Sequence, residues 1–364
     1  MDLPVVPPLK PMLAKAVEKV PDGPMAFEPK WDGFRCIVFR SGADLMLGSR
    51  NERPLTRYFP ELIQPLLDNL PERCVVDSEL IVASGDALDF DGLQQRIHPA
   101  ESRVNMLAEK TPAVVMVFDL LALGDESLLD TPFGERRERL EAIATDFTPP
   151  IRLTPSTLDR EIAEAWFDRF EGAGLDGLIA KPLDKPYAPN KRTQFKRKHV
   201  RTADCVVAGF RIHKSGDGVG SLLLGLHDEN DQLHHLGVAA SFAAKKRVEL
   251  LEDLMPYRMD DITQHPWAGW LEAEAHAAAE GGKMPGAPNR WTGATGRDHS
   301  WIPVRPERVV EVKYVQVTNR RFRGTTRMVR WRPDREADSC RFDQLVEPVP
   351  IALGDVFEPA ELRG

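Results

Sequence analysis

The sequence predicts an α+β protein of two domains, residues 1–200 and 201–364, the second a small β-barrel. Three observations lead there. The 364 residues are too many for one ordinary core and comfortable for two. Strand-like and helix-like segments alternate through the first half, and the composition changes near Arg201. Beyond that point come short strands with tight turns and a single helix.

In the first half, Phe34-Arg35-Cys36-Ile37-Val38-Phe39 is strand-like, and Ser41-Gly42 makes a hairpin turn towards Asp44 to Leu47. Phe59, Leu62, Ile63, Leu66, Leu67 and Leu70 fall at helical spacing, which predicts an amphipathic helix. Cys74 to Val82 reads as a strand and Ala113 to Leu123 as a buried one. Arg136 to Ala144 and Asp159 to Phe170 read as helices, and Leu178-Ile179-Ala180 as a short strand. In the second half, Cys205 to Ile212, Ser221 to His227 and Leu233 to Ala239 are strands, with Asp228-Glu229-Asn230-Asp231 a hairpin loop. A helix over Ala243 to Leu254 follows, then a Gly- and Pro-rich loop from Gly281 to Thr295, then a strand from Arg308 to Val317. Several short strands with one helix point to a barrel, with the OB fold the leading candidate.

Composition excludes several classes. Hydrophobic residues make up 42% and charged residues 29%, a balance that suits a folded chain rather than a disordered one. No apolar run is long enough to cross a bilayer, so no membrane partner is expected. Met1 to Lys10 is proline-rich and lacks a signal-peptide core, which predicts a cytoplasmic protein. Cys36, Cys74, Cys205 and Cys340 are scattered, against both a zinc knuckle and a disulfide framework. The net charge is -8, yet Lys191 to Arg201 contains no acid, and Arg305 to Arg335 holds ten Lys or Arg against three Asp or Glu. An acidic chain with two such stretches can hold a phosphate backbone on one face. The same stretches also fit solvated charged faces.

The stretch most suggestive of chemistry is Phe27-Glu28-Pro29-Lys30-Trp31-Asp32-Gly33-Phe34-Arg35. A lysine between a strand-like approach and an Asp-Gly turn sits at a fixed bend of the backbone. To act as a nucleophile it must lose a proton it ordinarily keeps up to a pH of about 10.4. Asp32 would position its ammonium, and Arg35 would meet a ligand hydroxyl or phosphate. Taken alone, the stretch also fits a surface lysine beside a hairpin turn. Asp77-Ser78-Glu79-Leu80 puts two carboxylates on one face of an apolar strand, where they need a cation or a metal. Asp176 and Lys181 flank another short apolar strand. Acids from separate strands facing a lysine suit metal-assisted attack on a triphosphate. Lys196 and Lys198 fall on one side of a strand, suited to phosphates. Phe118 ends a buried strand, where it can stack on a base or simply fill the core.

In this order, the stretches resemble the covalent nucleotidyltransferases: DNA ligases, RNA ligases and mRNA capping enzymes. Glu28 to Arg35 is similar to their first motif, in which the lysine takes the nucleotide. Ser49-Arg50-Asn51 is similar to the next, whose arginine handles the 5′-phosphate at a nick. Asp77 to Leu80, Phe118-Asp119, Asp176 to Lys181, and Lys196 with Lys198 follow in family order. Arg330-Trp331-Arg332-Pro333-Asp334-Arg335 resembles the last motif, carried on the OB domain. Ser300 to Glu307 and the compact length look closest to bacterial ligases of the ligase C type. There are departures. Asp176 stands where Glu is usual and Arg335 where Lys is usual; Phe195 replaces Trp, and Asn190 replaces Gly.

The resemblance implies an ATP-grasp-like adenylation domain over residues 1–200 and an OB-fold barrel over 201–364. It implies an ATP-dependent DNA ligase acting in DNA repair through a lysyl-AMP. Lys30, Asp32 and Arg50 would be catalytic. Glu28, Arg35, Glu79, Phe118, Arg192, Lys196, Lys198, Asp334 and Arg335 would bind ATP. Glu79 and Asp176 would hold Mg²⁺, with Mn²⁺ as an alternative. The partners implied are nicked duplex DNA and other repair proteins, with the ligase itself a monomer. An RNA ligase, a capping-type transferase or a non-catalytic nucleic-acid-binding module built on the same scaffold would be the rival readings. The hinge between the domains is expected at Val200 to Ala203.

Overall fold

A computed structural model describes residues 1–269, 300–318 and 320–362. The chain forms two compact units, Met1–Lys198 with Pro348–Gly364, and His199–Glu347. The Gly- and Pro-rich stretch Gly281 to Thr295 lies outside the described residues.

The first unit begins with β1 (Leu13–Ala16), β2 (Met25–Pro29), β3 (Phe34–Ser41), β4 (Asp44–Ser49), α1 (Ile63–Asn69) and β5 (Arg73–Ser84). It continues through β6 (Ala87–Leu88), α2 (Phe90–Gln95), α3 (Glu101–Lys110), β7 (Ala113–Leu123), β8 (Glu126–Ser127) and α4 (Phe133–Ala144). Then come β9 (Ile151–Leu153), α5 (Arg160–Phe170), β10 (Leu178–Pro182) and β11 (Arg192–Arg197). One sheet runs β1-β11-β10-β2, and the other β4-β3-β5-β7-β8.

The first sheet separates its two faces by strand alternation. Phe27, Ala180 and Phe195 are aligned across β2, β10 and β11 and turn to a core built with Ala163, Trp166, Phe167 and Phe170 of α5. Glu28, Ile179 and Lys196, aligned one residue over, turn to the opposite face. In the second sheet β5 and β7 are mostly apolar and largely buried on both faces, interrupted by Asp77, Ser78 and Glu79 in β5 and Asp119 in β7.

The second unit contains β12 (Arg201–Ile212), β13 (Val219–His227), β14 (Leu233–Ala240), α6 (Ala244–Leu254), β15 (Ile302–Tyr314), β16 (Val317–Thr318), β17 (Arg321–Phe322) and β18 (Arg327–Trp331). Five strands form a sheet in the order β14-β13-β12-β15-β18. The sheet curls until its edges meet. Thr326 N–H donates to Val238 O at 2.9 Å, and Ala240 N–H donates to Thr326 O at 3.3 Å, a parallel bridge between the two outer strands. Among the described residues, a closed five-stranded barrel accompanied by the helix α6 is the OB arrangement.

Four differences from the sequence reading have physical causes. Over Phe59 to Leu70 the chain makes a 3₁₀ turn at Pro60–Leu62 before α1, because Pro60 has no N–H to continue a helix back into the preceding turn. Phe118 lies within β7 rather than at its end, since the apolar run continues to Leu123. The units divide between Lys198 and His199, one residue before the stretch Val200 to Ala203 expected to join the domains; Arg201 already begins β12, and Ala203 is buried in the barrel core. The second domain also stops short of residue 364. From Pro348 the chain rejoins the first unit, where Leu353 and Val356 of α7 (Leu353–Phe357) fill an apolar gap.

Candidate active site

The polar face of the first sheet and the facing residues of β3, β5 and β7 line a cleft of about 250 Å³. From β2 it takes Glu28, with Lys30 just past the strand; from β10, Ile179 and Lys181; from β11, Arg192, Gln194 and Lys196. Arg35, Arg50, Glu79, Phe118 and Trp31 complete the charged and aromatic lining. Eight of the residues singled out in the sequence therefore converge: Glu28, Lys30, Arg35, Arg50, Glu79, Phe118, Arg192 and Lys196.

Two Asp-Gly pairs shape the backbone around Lys30. Lys30 N–H donates to Gly177 O at 2.8 Å and Asp176 N–H donates to Lys30 O at 3.0 Å, extending the β2–β10 ladder past the strand ends. Gly177 has φ +120°, and a Cβ there would lie 2.1 Å from Arg197 O. At Gly33 a Cβ would lie 2.1 Å from Leu80 O. Only glycine lets the loop after Lys30 close on β5, which brings Glu79 towards the lysine. Asn190 takes φ +60° in the turn before β11, the conformation that lets asparagine replace glycine there.

The electrostatics favour an anion. Asp176 Oδ2 is 2.7 Å from Lys30 Nζ and also pairs with Lys198 Nζ. Burial alone would raise the Asp176 carboxyl, but the two ammonium groups outweigh it and hold it below its ordinary value. Lys196 is pushed below its ordinary value by burial, then by the charges of Lys30 and Lys198, with Arg50 adding to them. The sequence reading gives the positioning of the Lys30 ammonium to Asp32; the carboxylate found at 2.7 Å is that of Asp176. Asp32 is half-buried and stands outside the cleft lining, as do Asp176 and Lys198.

The inner end of the cleft is different in character. Glu28 is 2% exposed and bound by Lys181, itself 3% exposed, at 2.7 Å. Lys181 Nζ also donates to Phe118 O at 2.9 Å, and Arg137 lies 3.5 Å from Glu28. Burial raises the Glu28 carboxyl and lowers the Lys181 ammonium, while each holds the other charged. Arg35 makes two 2.6 Å bonds to Asp77 and lies 4.5 Å from the Phe118 ring centroid. Tyr187 Oη donates to Asp77 at 2.5 Å and accepts from Met12 N–H at 3.0 Å, tying Arg35 to the cleft rim. The cation needed by Asp77 is thus Arg35. Burial pushes the Glu79 carboxyl up to about 7, against the pull of Arg35 and Lys30.

Asp334 and Arg335 belong to the second unit, in a cluster around Asp204. Arg332 bonds Asp204 at 2.8 and 2.9 Å, and Arg335 Nε is 3.5 Å from the same carboxylate. Hydrogen bonds from Arg332 hold the Asp334 carboxyl at about 2.

Lys181 and Arg137 are the site residues that sequence reasoning left out of the binding set. Lys181 carried a signal, a lysine closing an apolar strand. Arg137 carried none, because on a helix a buried arginine reads like a surface one.

Comparison with known proteins fits this geometry. Residues 8–198 match the family described as ATP dependent DNA ligase domain, and residues 215–335 the ATP dependent DNA ligase C terminal region. DNA ligase C2 of Mycolicibacterium smegmatis is 54% identical over 96% of this chain and 97% of its own. DNA ligase C of Mycobacterium tuberculosis is 52% identical over 98% of this chain and 99% of its own. A solved Lig E DNA ligase, 16% identical, shares the fold with a TM-score of 0.55 over 89% of this chain and 99% of its own. No helix among the described residues is long and apolar enough to cross a membrane. The RNA-ligase, capping and non-catalytic alternatives give way to these matches: the chain belongs to the ATP-dependent DNA ligases, in the ligase C group.

Proposed function

We propose that Lys30 carries AMP during ligation and that the residues around it divide the work by location. The observation that carries this reading is the pairing of Lys30 and Lys198 with one acid, Asp176, with Lys196 and Arg50 adding positive charge beside them and a buried Glu28–Lys181 pair at the inner end of the cleft. The cations suit a triphosphate, and the buried carboxylate suits the hydrogen-bonding edge of a base.

In the first step the unprotonated Lys30 Nζ bonds to the α-phosphorus of ATP. The bond to the bridging oxygen breaks, its electron pair leaves with pyrophosphate, and the nitrogen sheds a proton. In the second step a 5′-phosphate oxygen of the break bonds to that phosphorus. The P–N bond breaks, and Lys30 takes a proton back. In the third step the 3′-hydroxyl loses its proton and bonds to the 5′-phosphorus, and AMP departs. Glu28 reads the adenine edge, and Phe118 offers the base its ring. Arg35, now on that ring, is the group that would turn to the ribose. Arg192, Lys196 and Lys198 neutralise phosphates, Arg50 receives the 5′-phosphate, and Asp334 and Arg335 orient the pyrophosphate. Asp32 steadies the Lys30 turn. Fixed cations of this kind supply most of the stabilisation in phosphoryl transfer.

The donor set fits Mg²⁺, or Mn²⁺ in its place. Among the described residues no three His, Cys, Asp or Glu side chains converge, so Glu79 and Asp176 would share the ion with phosphate oxygens. A divalent cation would also keep the Glu79 carboxyl charged despite its burial. Bound there, it would draw charge from the phosphate being attacked.

The working form is a cytoplasmic monomer acting on nicked duplex DNA, with other repair proteins directing it to breaks. The test is a sealing assay on a labelled nicked duplex with ATP or GTP, beside a nicked RNA duplex. Sealing of nicked DNA with ATP alone supports the reading. Preference for GTP, or for RNA, would overturn the assignment of base and substrate.

A further inference from the structure

After the barrel, the chain returns to the first unit and builds part of its core. Leu353 and Val356 of α7 are 4% and 0% exposed, and they pack in one cluster with Trp31, Phe167 and Leu178. Leu353 N–H donates to Asp86 O at 2.9 Å. Glu361 accepts from Arg169 at 2.6 Å and from the Trp166 indole at 3.4 Å. The approach is close enough to fix a residue type: a Cβ on Gly172 would lie 1.8 Å from Val349 O.

The end of α7 reaches the nucleophile's neighbour. The Phe357 ring stacks on Trp31 with centroids 5.8 Å apart and planes 29° apart. The Arg152 guanidinium lies 4.5 Å from the centroid of the same phenyl ring. Trp31 directly follows Lys30, lines the cleft, and donates its indole N–H to Thr154 Oγ1 at 3.1 Å. One restraint on this indole comes from Thr154, directly after β9 in the first unit. The other comes from a segment that follows the whole barrel in sequence.

We propose that Phe357 is a positioning residue for adenylation: by holding Trp31 it fixes the backbone at Lys30 and the direction in which Nζ meets the α-phosphorus. The proposal rests on Lys30 being the nucleophile. The chemistry dictates where such a residue acts. A bond to Lys30 Nζ forms in the first step and breaks in the second. In the third step the bond forms between the 3′-oxygen and the 5′-phosphorus, and the one broken joins that phosphorus to AMP, so no bond to Lys30 changes. A residue that orients Lys30 acts on the first two steps and leaves the third alone. A residue that merely holds the domain together acts on all three.

The experiment compares full-length wild type with Phe357→Ala, Phe357→Leu and Phe357→Tyr. Lysyl-AMP formation from ATP, sealing of a pre-adenylated nick and thermal unfolding are measured for each. The expected result is adenylation slowed by about tenfold in the alanine and leucine variants, as a small misplacement of a reacting atom produces. Tyrosine, which keeps the ring, restores it, and sealing of the pre-adenylated nick stays at the wild-type rate throughout. Wild-type adenylation in all variants overturns the proposal. So does an equal loss in adenylation and in sealing of the pre-adenylated nick. If the alanine variant does not fold, leucine against tyrosine decides, because leucine keeps the apolar volume without the ring. Failure of the wild type itself to take AMP on Lys30 would instead strike the underlying reading, and it is seen before any variant is compared.

Discussion

Replacing Lys181 by methionine isolates the buried pair at the inner end of the cleft. Glu28 and Lys181 are 2% and 3% exposed and 2.7 Å apart, so neither can recover water when its partner is lost. Removing one member of such a pair costs about 3–5 kcal/mol. Arg137, 3.5 Å from Glu28, offsets part of that, which places the loss near the lower end. The Phe118 carbonyl also loses a 2.9 Å donor, worth about 1 kcal/mol. For a unit of this size, a loss of about 3–4 kcal/mol lowers the melting temperature by roughly 10 °C. Adding Glu28→Gln should return most of the stability, since the stranded charge is then gone. It should not return adenylation, because Glu28 is assigned to the base. Thermal unfolding of the single and double variants without ATP provides the stability values, and labelling with ATP the activity. If Lys181→Met melts with the wild type, the pair is not isolated from water and the description of the inner cleft is wrong.

Three further outcomes concern Asp176, Arg335 and Arg50. Asp176→Ala should slow adenylation far more than Asp176→Glu, because alanine leaves Lys30 and Lys198 facing each other with no acid between them, whereas glutamate restores a carboxylate. Equal, wild-type sealing by both would remove Asp176 from the site. Arg335→Ala should impair adenylation by ATP and spare sealing of a pre-adenylated nick, whereas Arg50→Ala should impair transfer to the nick more than adenylation. Timing the two steps separately reads both, and an equal block of both steps in Arg335→Ala would contradict the division of labour between barrel and cleft.

What the sequence discloses here depends on distance along the chain. Ala113–Leu123 is legible because a continuous apolar run bounded by turns has few alternatives. Asp32-Gly33 is legible as a bend, and the structure explains why glycine is needed there: it lies against the Leu80 carbonyl oxygen of β5. The partner of Asp77 could be anticipated as a cation but not identified, since Arg35 lies 42 residues away. Nothing in the sequence around Arg136 and Arg137 marks either as inward-facing, yet both are buried against carboxylates carried by strands, Asp119 and Glu28. Least legible is α7. Nothing local in Leu353–Phe357 says that it leaves the barrel, because its apolar partners lie in another unit of the chain.

Each role assigned to the cleft depends on Lys30 being the residue that takes AMP. The most direct measurement is the intact mass of the protein before and after incubation with ATP and Mg²⁺, repeated for Lys30→Ala and followed by peptide mapping. The wild type should gain one AMP, located on Lys30, and the variant none. An AMP adduct that persists in Lys30→Ala would place the nucleophile elsewhere.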